Sequence, residues 1–203
     1  MLTRWCERVR RSGELTVFAD ASAVGWSDAL RRARHVFNAI SWSAKLGVRL
    51  IHSTEAPDLD AEARGDSAHS GADVHFCISG VAFNTLEGRT RYRANTDAPE
   101  IMVKAKITLP TPMVSAGTGI SDREAGDGVK MVLALHELIH ACGLGNREHT
   151  PLGGDADVFC GVFDSIKVNS IFREDDTIVK GKIEFPPATL NLRTLNFIRT
   201  NWR

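Results

Sequence analysis

Hydrophobic and polar positions follow two different periods along the 203 residues of this chain. Short apolar or alternating runs are typical of strands, and they predict strands over 15–19, 48–51, 74–78 and 101–107. Charged and polar residues alternate over 89–95, as expected of a solvent-facing edge strand. A period near 3.6 predicts a helix over 28–44 that Gly47 ends. The same period near the end of the chain predicts a terminal helix with an apolar stripe of Leu192, Leu195, Ile198 and Trp202.

A third segment is apolar at nearly every position, from Val129 to Ile139. A helix that is apolar on almost all sides belongs in a core. Two histidines and one glutamate fall in or beside this segment, in the run His136-Glu137-Leu138-Ile139-His140. Because buried polar groups are costly when unpaired, these three side chains require partners. Gly143 follows where a left-handed residue is expected to end the helix.

The run is an H-E-x-x-H motif, which points to metal chemistry. Residues four apart lie one above the other on a helix, so His136 and His140 can bind one metal ion without distorting the backbone. Glu137 projects about 100° from His136 and about 60° from His140. Its carboxylate therefore lies beside the metal, where it can take a proton from a bound water. The alternative is two core histidines bonded to backbone, with Glu137 at the edge of a cleft.

The composition fits one globular domain, since 43% of the residues are hydrophobic and 25% are charged. Lys plus Arg and Asp plus Glu both number 25, so the charge predicts neither nucleic acid nor an anionic membrane as partner. No apolar stretch follows the basic start, so we expect no signal peptide, no transmembrane span and, by default, a cytoplasmic location. The four cysteines predict buried thiols, with a Cys142–Cys160 bridge as the alternative.

The motif and the order of elements resemble the metzincin clan of zinc peptidases, of matrixin and astacin type. The clan motif is H-E-x-x-H-x-x-G-x-x-H, and the residues that match it are His136, Glu137, His140 and Gly143. In sequence the resemblance covers residues 136–149. The core HELIHACGL is also similar to a group of phage- and prophage-encoded proteins, which makes association with a virion the alternative to the cytoplasm.

The resemblance implies an α+β fold. It contains a twisted, mostly parallel sheet with an antiparallel edge strand, packed on two helices, with the zinc helix in the cleft. It also implies one catalytic domain over 1–203. The upper subdomain of this domain ends near residue 143, and a small irregular lower subdomain over 144–203 ends with the C-terminal helix.

The chain departs from the clan at the third ligand position, where Asn146 stands in place of histidine. A neutral amide is a poor zinc ligand, and a zinc site that leaves one position open to water needs three protein ligands. His149 follows His140 by nine residues. An extended residue spans about 3.3 Å, so a loop of this length can return to the metal. We predict His149 as the third ligand, with two carboxylates as alternatives, Asp155 and Asp157.

These residues predict a zinc-dependent metalloendopeptidase. Zn²⁺ held by the three histidines activates a water, and Glu137 acts as general base. The partner is a peptide or protein substrate, which can add a strand along 91–95 or along 102–107. Two other functions stay open: a zinc amidase acting on cell-wall peptides, and a non-catalytic virion or structural protein with a metal-stabilised fold. The sequence predicts neither cleavage specificity nor oligomeric state.

Overall fold

The computed structural model describes residues 4–58, 71–78, 88–110, 127–145 and 189–202. The elements within these ranges are, in chain order, β1 (Arg4–Trp5), α1 (Glu7–Ser12), β2 (Glu14–Ala19), a 3₁₀-helix (Ala21–Trp26), α2 (Ser27–Ala44), β3 (Arg49–His52), β4 (Val74–Ile78), β5 (Arg89–Ala94), β6 (Ile101–Leu109), α3 (Asp127–Ala141) and α4 (Leu192–Asn201). The five strands and three helices predicted above are present, and a hairpin that the sequence also predicts over 166–184 lies outside the described residues. The three elements that were not predicted, β1, α1 and the 3₁₀-helix, are too short to display a period.

The strands form one sheet in the order β1-β6-β4-β2-β3, and all of these neighbours are parallel. Strand β5 pairs with β6 and is antiparallel to it, with Tyr92 opposite Ala105. The predicted α+β class, with a mostly parallel sheet and an antiparallel edge strand, is confirmed. The expectation that a peptide could pair along 102–107 is wrong, because β6 already pairs with β4 on one side and with β5 on the other.

Helices α2 and α3 contact each other and the sheet, as the predicted two-helix layer requires. Helix α2 is amphipathic and buries a stripe of residues four apart, Ala29, Ala33, Phe37 and Ser41. Helix α3 differs, since every side chain from Lys130 to Leu144 is buried. The prediction that the apolar segment is a core helix is therefore confirmed.

The outer edge of β3 is covered by side chains of α2. The Asn38 amide donates to the carbonyl of Leu50 at 2.9 Å and accepts from its N–H at 2.7 Å, as a neighbouring strand would. The Ser41 hydroxyl donates to the carbonyl of Val48. Because unpaired strand edges recruit other chains, this cover closes one side of the sheet. Strand β5, which within the described residues pairs with β6 alone, forms the other side.

Two details of the helix ends differ from the sequence prediction. Lys45 rather than Gly47 ends α2, with a left-handed φ of 52° and its N–H directed at the carbonyls of the last turn. In α4 the side chain of Leu192 is 70% exposed, so its place in the apolar stripe is wrong. The helix starts at Leu192 behind its Asn191 cap, and Leu190 and Ile198 supply the buried positions.

Part of the predicted organisation lies outside the described residues. The irregular part of the lower subdomain falls in 146–188, so the division near residue 143 stays a prediction. Cys6, Cys77 and Cys142 are free and buried, as predicted, whereas Cys160 is not described. Among the helices in the described ranges, none has both the length and the apolarity that a membrane crossing requires.

Candidate metal centre

Helix α3 brings the two motif histidines together in the core. His136 is 4% exposed and His140 is 6% exposed, one turn apart on the same side of the helix. Their rings meet edge to face, with centroids 4.6 Å apart, and the two Nε2 atoms are 2.9 Å apart. Two nitrogen ligands on a tetrahedral zinc lie about 3.3 Å apart, given zinc–nitrogen bonds of about 2.05 Å. The observed separation is within about half an ångström of that value.

The other ring nitrogen of His140 fixes how this imidazole is protonated. Its Nδ1 lies 2.6 Å from the carbonyl oxygen of Leu144, and a carbonyl can only accept. Nδ1 therefore carries the proton, so Nε2 of the neutral ring presents a lone pair towards His136. Histidines that bind metals commonly use their second nitrogen in this way. The donor set thus fits a divalent cation of zinc type, which imidazole binds well.

The third ligand is not among the described residues. Within them, no group of three or more His, Cys, Asp or Glu side chains is arranged to hold a metal ion. His149 and its alternatives, Asp155 and Asp157, lie outside the described residues, as does Asn146. Cys142, just after α3, is fully buried, and burial raises the pKa of its thiol. The assignment of His149 stays a prediction.

The carboxylate of Glu137 is also buried, at 3% exposure, and it has a partner on the edge strand. The hydroxyl of Thr90 donates to Glu137 Oε2 at 2.5 Å. Gly88, two residues earlier, approaches the same side chain, since a Cβ placed there would lie 2.6 Å from Oε1. Strand β5 therefore forms one wall of the pocket in which this carboxylate lies. The alternative interpretation of the motif instead expected Glu137 at the edge of a cleft.

Three aromatic side chains hold the end of α3 where His140 lies. A helix leaves its last carbonyls without intrahelical partners. Here the indole of Trp5 donates to Ala141 at 2.7 Å and that of Trp202 donates to Cys142 at 3.0 Å. The hydroxyl of Tyr92 donates to the carbonyls of His140 and Leu144. Donors from β1, β5 and the C-terminal segment thus fix the position of the second motif histidine.

Sequence reasoning missed Thr90 and Tyr92 as parts of the site. The signal was present, because they alternate with Arg89, Arg91 and Arg93. That alternation indicated a solvent-facing strand, and in the structure Arg89 and Arg91 are indeed exposed while Thr90 and Tyr92 are half-buried. The partners of these two residues could not be read from the sequence, since Glu137 and His140 lie 47 and 48 residues after them.

Comparison with known proteins adds a structural likeness. No family model and no curated protein matches this chain. The solved structure of myroilysin matches with a TM-score of 0.42 and 12% sequence identity. The match covers 98% of this chain and 94% of that chain. At this similarity the likeness does not by itself establish a common fold or a common activity.

Proposed function

We propose that this protein is a zinc-dependent peptidase whose centre is built on α3. The observation that carries the proposal is the 2.9 Å separation of the His136 and His140 Nε2 atoms in a buried helix. Imidazole nitrogens at this separation can hydrogen-bond to each other, and they are also placed to share one cation. The buried carboxylate of Glu137, next to His136 in sequence, supplies the base that the chemistry needs.

His136, His140 and a third residue of the following segment would hold the cation. When bound, it lowers the pKa of a coordinated water and polarises the carbonyl of the scissile bond. Glu137 accepts a proton at its carboxylate and returns it to the leaving amine. Burial on α3 excludes bulk water from around this carboxylate, which strengthens its electrostatic interactions.

His149 is the third ligand that we propose. The backbone angle of Gly143 and the contacts of Leu144 support it. Gly143 has a φ of 106°, a conformation that glycine adopts readily and that turns the chain sharply off α3. The carbonyl of Leu144 is bonded to both His140 and Tyr92, so the loop to His149 starts beside the second ligand.

Strand β5 is the edge along which we propose that the substrate binds. The opposite edge of the sheet, β3, is covered by Asn38. An extended peptide that pairs with β5 on the side away from β6 would lie next to the strand that contacts Glu137 through Thr90. Main-chain pairing of this kind places an amide near the carboxylate without demanding a particular side chain.

The substitution Glu137→Gln tests the proposal. Zinc-loaded wild type should cleave casein or members of a peptide library, and a chelator should stop cleavage. Loss of a general base lowers kcat by roughly 10²–10⁴-fold, and the variant should keep its zinc. Glu7→Gln is the matched control, because Glu7 is an exposed residue of α1 paired with Arg11.

Three results would contradict parts of this proposal. Unchanged cleavage by Glu137→Gln would remove Glu137 as the base. Cleavage of cell-wall cross-links without digestion of casein or peptides would assign the chain to the amidase alternative. Zinc that stabilises the fold while no amide is cut would favour the structural alternative.

A further inference from the structure

We infer that Thr90 is a positioning residue that holds the Glu137 carboxylate for proton transfer, and that Gly88 leaves the space this requires. The inference rests on the proposed function, since it assigns Glu137 as the base. It adds Thr90, a residue of the edge strand, to the site, because its side chain acts through Glu137. Two observations support it: alternate residues of the β5 segment contact α3, and the Glu137 carboxylate is closely packed against that segment.

Strand β5 presents a row of alternate residues to α3. Positions 88, 90 and 92 share one face, because side chains two apart on a strand point the same way. Each member of this row contacts the motif: Gly88 packs on the Glu137 carboxylate, Thr90 donates to it, and Tyr92 donates to the His140 carbonyl. Exposed arginines occupy the opposite face at Arg89 and Arg91. The row thus lies along α3 and contacts it from Glu137 to His140.

The hydrogen bond of Thr90 assigns different tasks to the two carboxylate oxygens. Oε2 accepts from the Thr90 hydroxyl at 2.5 Å, and the same hydroxyl lies 3.3 Å from the Glu137 backbone carbonyl. Such a bond fixes the rotation of the carboxylate plane as well as its position. In the proposed mechanism, Oε1 is the oxygen that accepts the proton.

Gly88 limits where that second oxygen can lie. A Cβ at this position would come within 2.5–2.6 Å of Cγ, Cδ and Oε1 of Glu137. No real contact is that short, so in Gly88→Ala either the carboxylate or the backbone at residue 88 must shift. Displacement of a catalytic group by about 1 Å costs on the order of 100-fold in rate. Thr90 and Gly88 therefore act on the same group from one strand, the first by attraction and the second by leaving space.

Steady-state kinetics of the zinc-loaded protein give the first test. Thr90→Val should lower kcat by about tenfold or more, with KM within about twofold and zinc content unchanged, because the lost bond orients a base rather than the substrate. Gly88→Ala should behave in the same way. Thr90→Ser keeps the hydroxyl and should restore kcat to within about threefold of wild type. Thr108→Val on β6 is the matched control, since its hydroxyl contacts the thiol of Cys77 instead.

A second test needs neither zinc nor activity. In chelated protein, urea unfolding of Thr90→Val, Glu137→Met and the double variant forms a double-mutant cycle. The contact predicts a coupling of about tenfold in the unfolding equilibrium constant. Absence of coupling would overturn the inference, and so would a loss of kcat in Thr90→Val that accompanies loss of zinc.

The kinetic results also separate this inference from the proposed function. An active wild type whose Thr90→Val variant retains its kcat would overturn the role of Thr90 alone. A zinc-loaded wild type that cuts no peptide would overturn the proposed function, and the role of Thr90 with it.

Discussion

Among the described residues, two clusters of polar side chains centre on buried groups, and they are partnered in different ways. The first, which we call the Asp73 cluster, consists of Arg8, Thr16, Asp73 and Lys104. Asp73 is 1% exposed and accepts from Arg8 at 2.7 Å on one oxygen. Its other oxygen accepts from the N–H and the hydroxyl of Thr16 at 2.9 and 2.6 Å. Lys104, also 1% exposed, donates to the carbonyl of Ala72 at 2.7 Å.

The second, which we call the α3 cluster, consists of His136, Glu137 and His140. Glu137 has a complementary donor in Thr90. The two imidazoles instead face each other through atoms of the same kind, with Nε2 to Nε2 at 2.9 Å. A single proton can bridge them, but each Nε2 of a neutral ring can equally present a lone pair.

The difference indicates what each cluster does. In the Asp73 cluster, donors meet acceptors and positive groups surround one carboxylate, so the cluster joins β2, β4 and β6 without further ligands. In the α3 cluster, two potential ligand atoms of the same kind converge in the core, an arrangement that a cation can bridge. Buried polar groups of the first kind stabilise a scaffold, and those of the second kind form a site.

Loss of a ligand from the α3 cluster gives the largest expected effect. His140→Ala should weaken zinc binding at least about 100-fold, since loss of a supporting second-shell group alone costs about 10–100-fold. His149→Ala should follow it, whereas Asn146→Ala should retain zinc. Metal content after dialysis against a graded chelator measures all three variants.

Asp73→Asn is the control that tests whether zinc loss is specific to the α3 cluster. It changes a buried polar group of the other cluster and should leave zinc content at the wild-type level. Greater zinc loss in Asn146→Ala than in His149→Ala would reverse the assignment of the third ligand.

Disruption of the Asp73 cluster should affect stability rather than metal binding. Asp73→Ala removes three hydrogen bonds to the carboxylate and leaves Lys104 buried without its nearest negative charge. Because removal of one partner of a buried ion pair is costly, we expect a loss of about 3 kcal/mol in the free energy of unfolding. Arg8 is 43% exposed, which keeps the loss from being larger. Urea unfolding measures it, and an unchanged midpoint would show that the cluster is not a scaffold.

The sequence allowed prediction of the features that depend on local spacing. The strands, α2, the core helix and the pairing of His136 with His140 all follow from periods of two, 3.6 and four residues. The Asp73 cluster was not predicted, because Arg8 and Thr16 precede Asp73 by 65 and 57 residues. Contacts over such separations depend on sheet register, which no local pattern records.

Lys104 illustrates the same limit within a correctly predicted strand. The alternation over 101–107 suggested that Lys104 lies on a polar face, yet Met102, Val103 and Lys104 are all buried. Strand β6 lies inside the sheet and is covered on both faces, so alternation did not distinguish an exposed side from a buried one.

The pH dependence of stability provides the smallest and most specific test of the Asp73 cluster. Burial lowers the pKa of Lys104, although Asp73 acts in the opposite direction. As pH rises towards the ordinary lysine value near 10.4, the folded state releases this proton before the unfolded state does. Stability rises with pH wherever the unfolded state binds more protons, so Lys104 contributes a gain in the free energy of unfolding in this range.

Lys104→Met should abolish that gain, which urea unfolding at about pH 8 and about pH 10 would measure. An equal pH response in the two proteins would mean that Asp73 and the carbonyl of Ala72 compensate the buried ammonium fully.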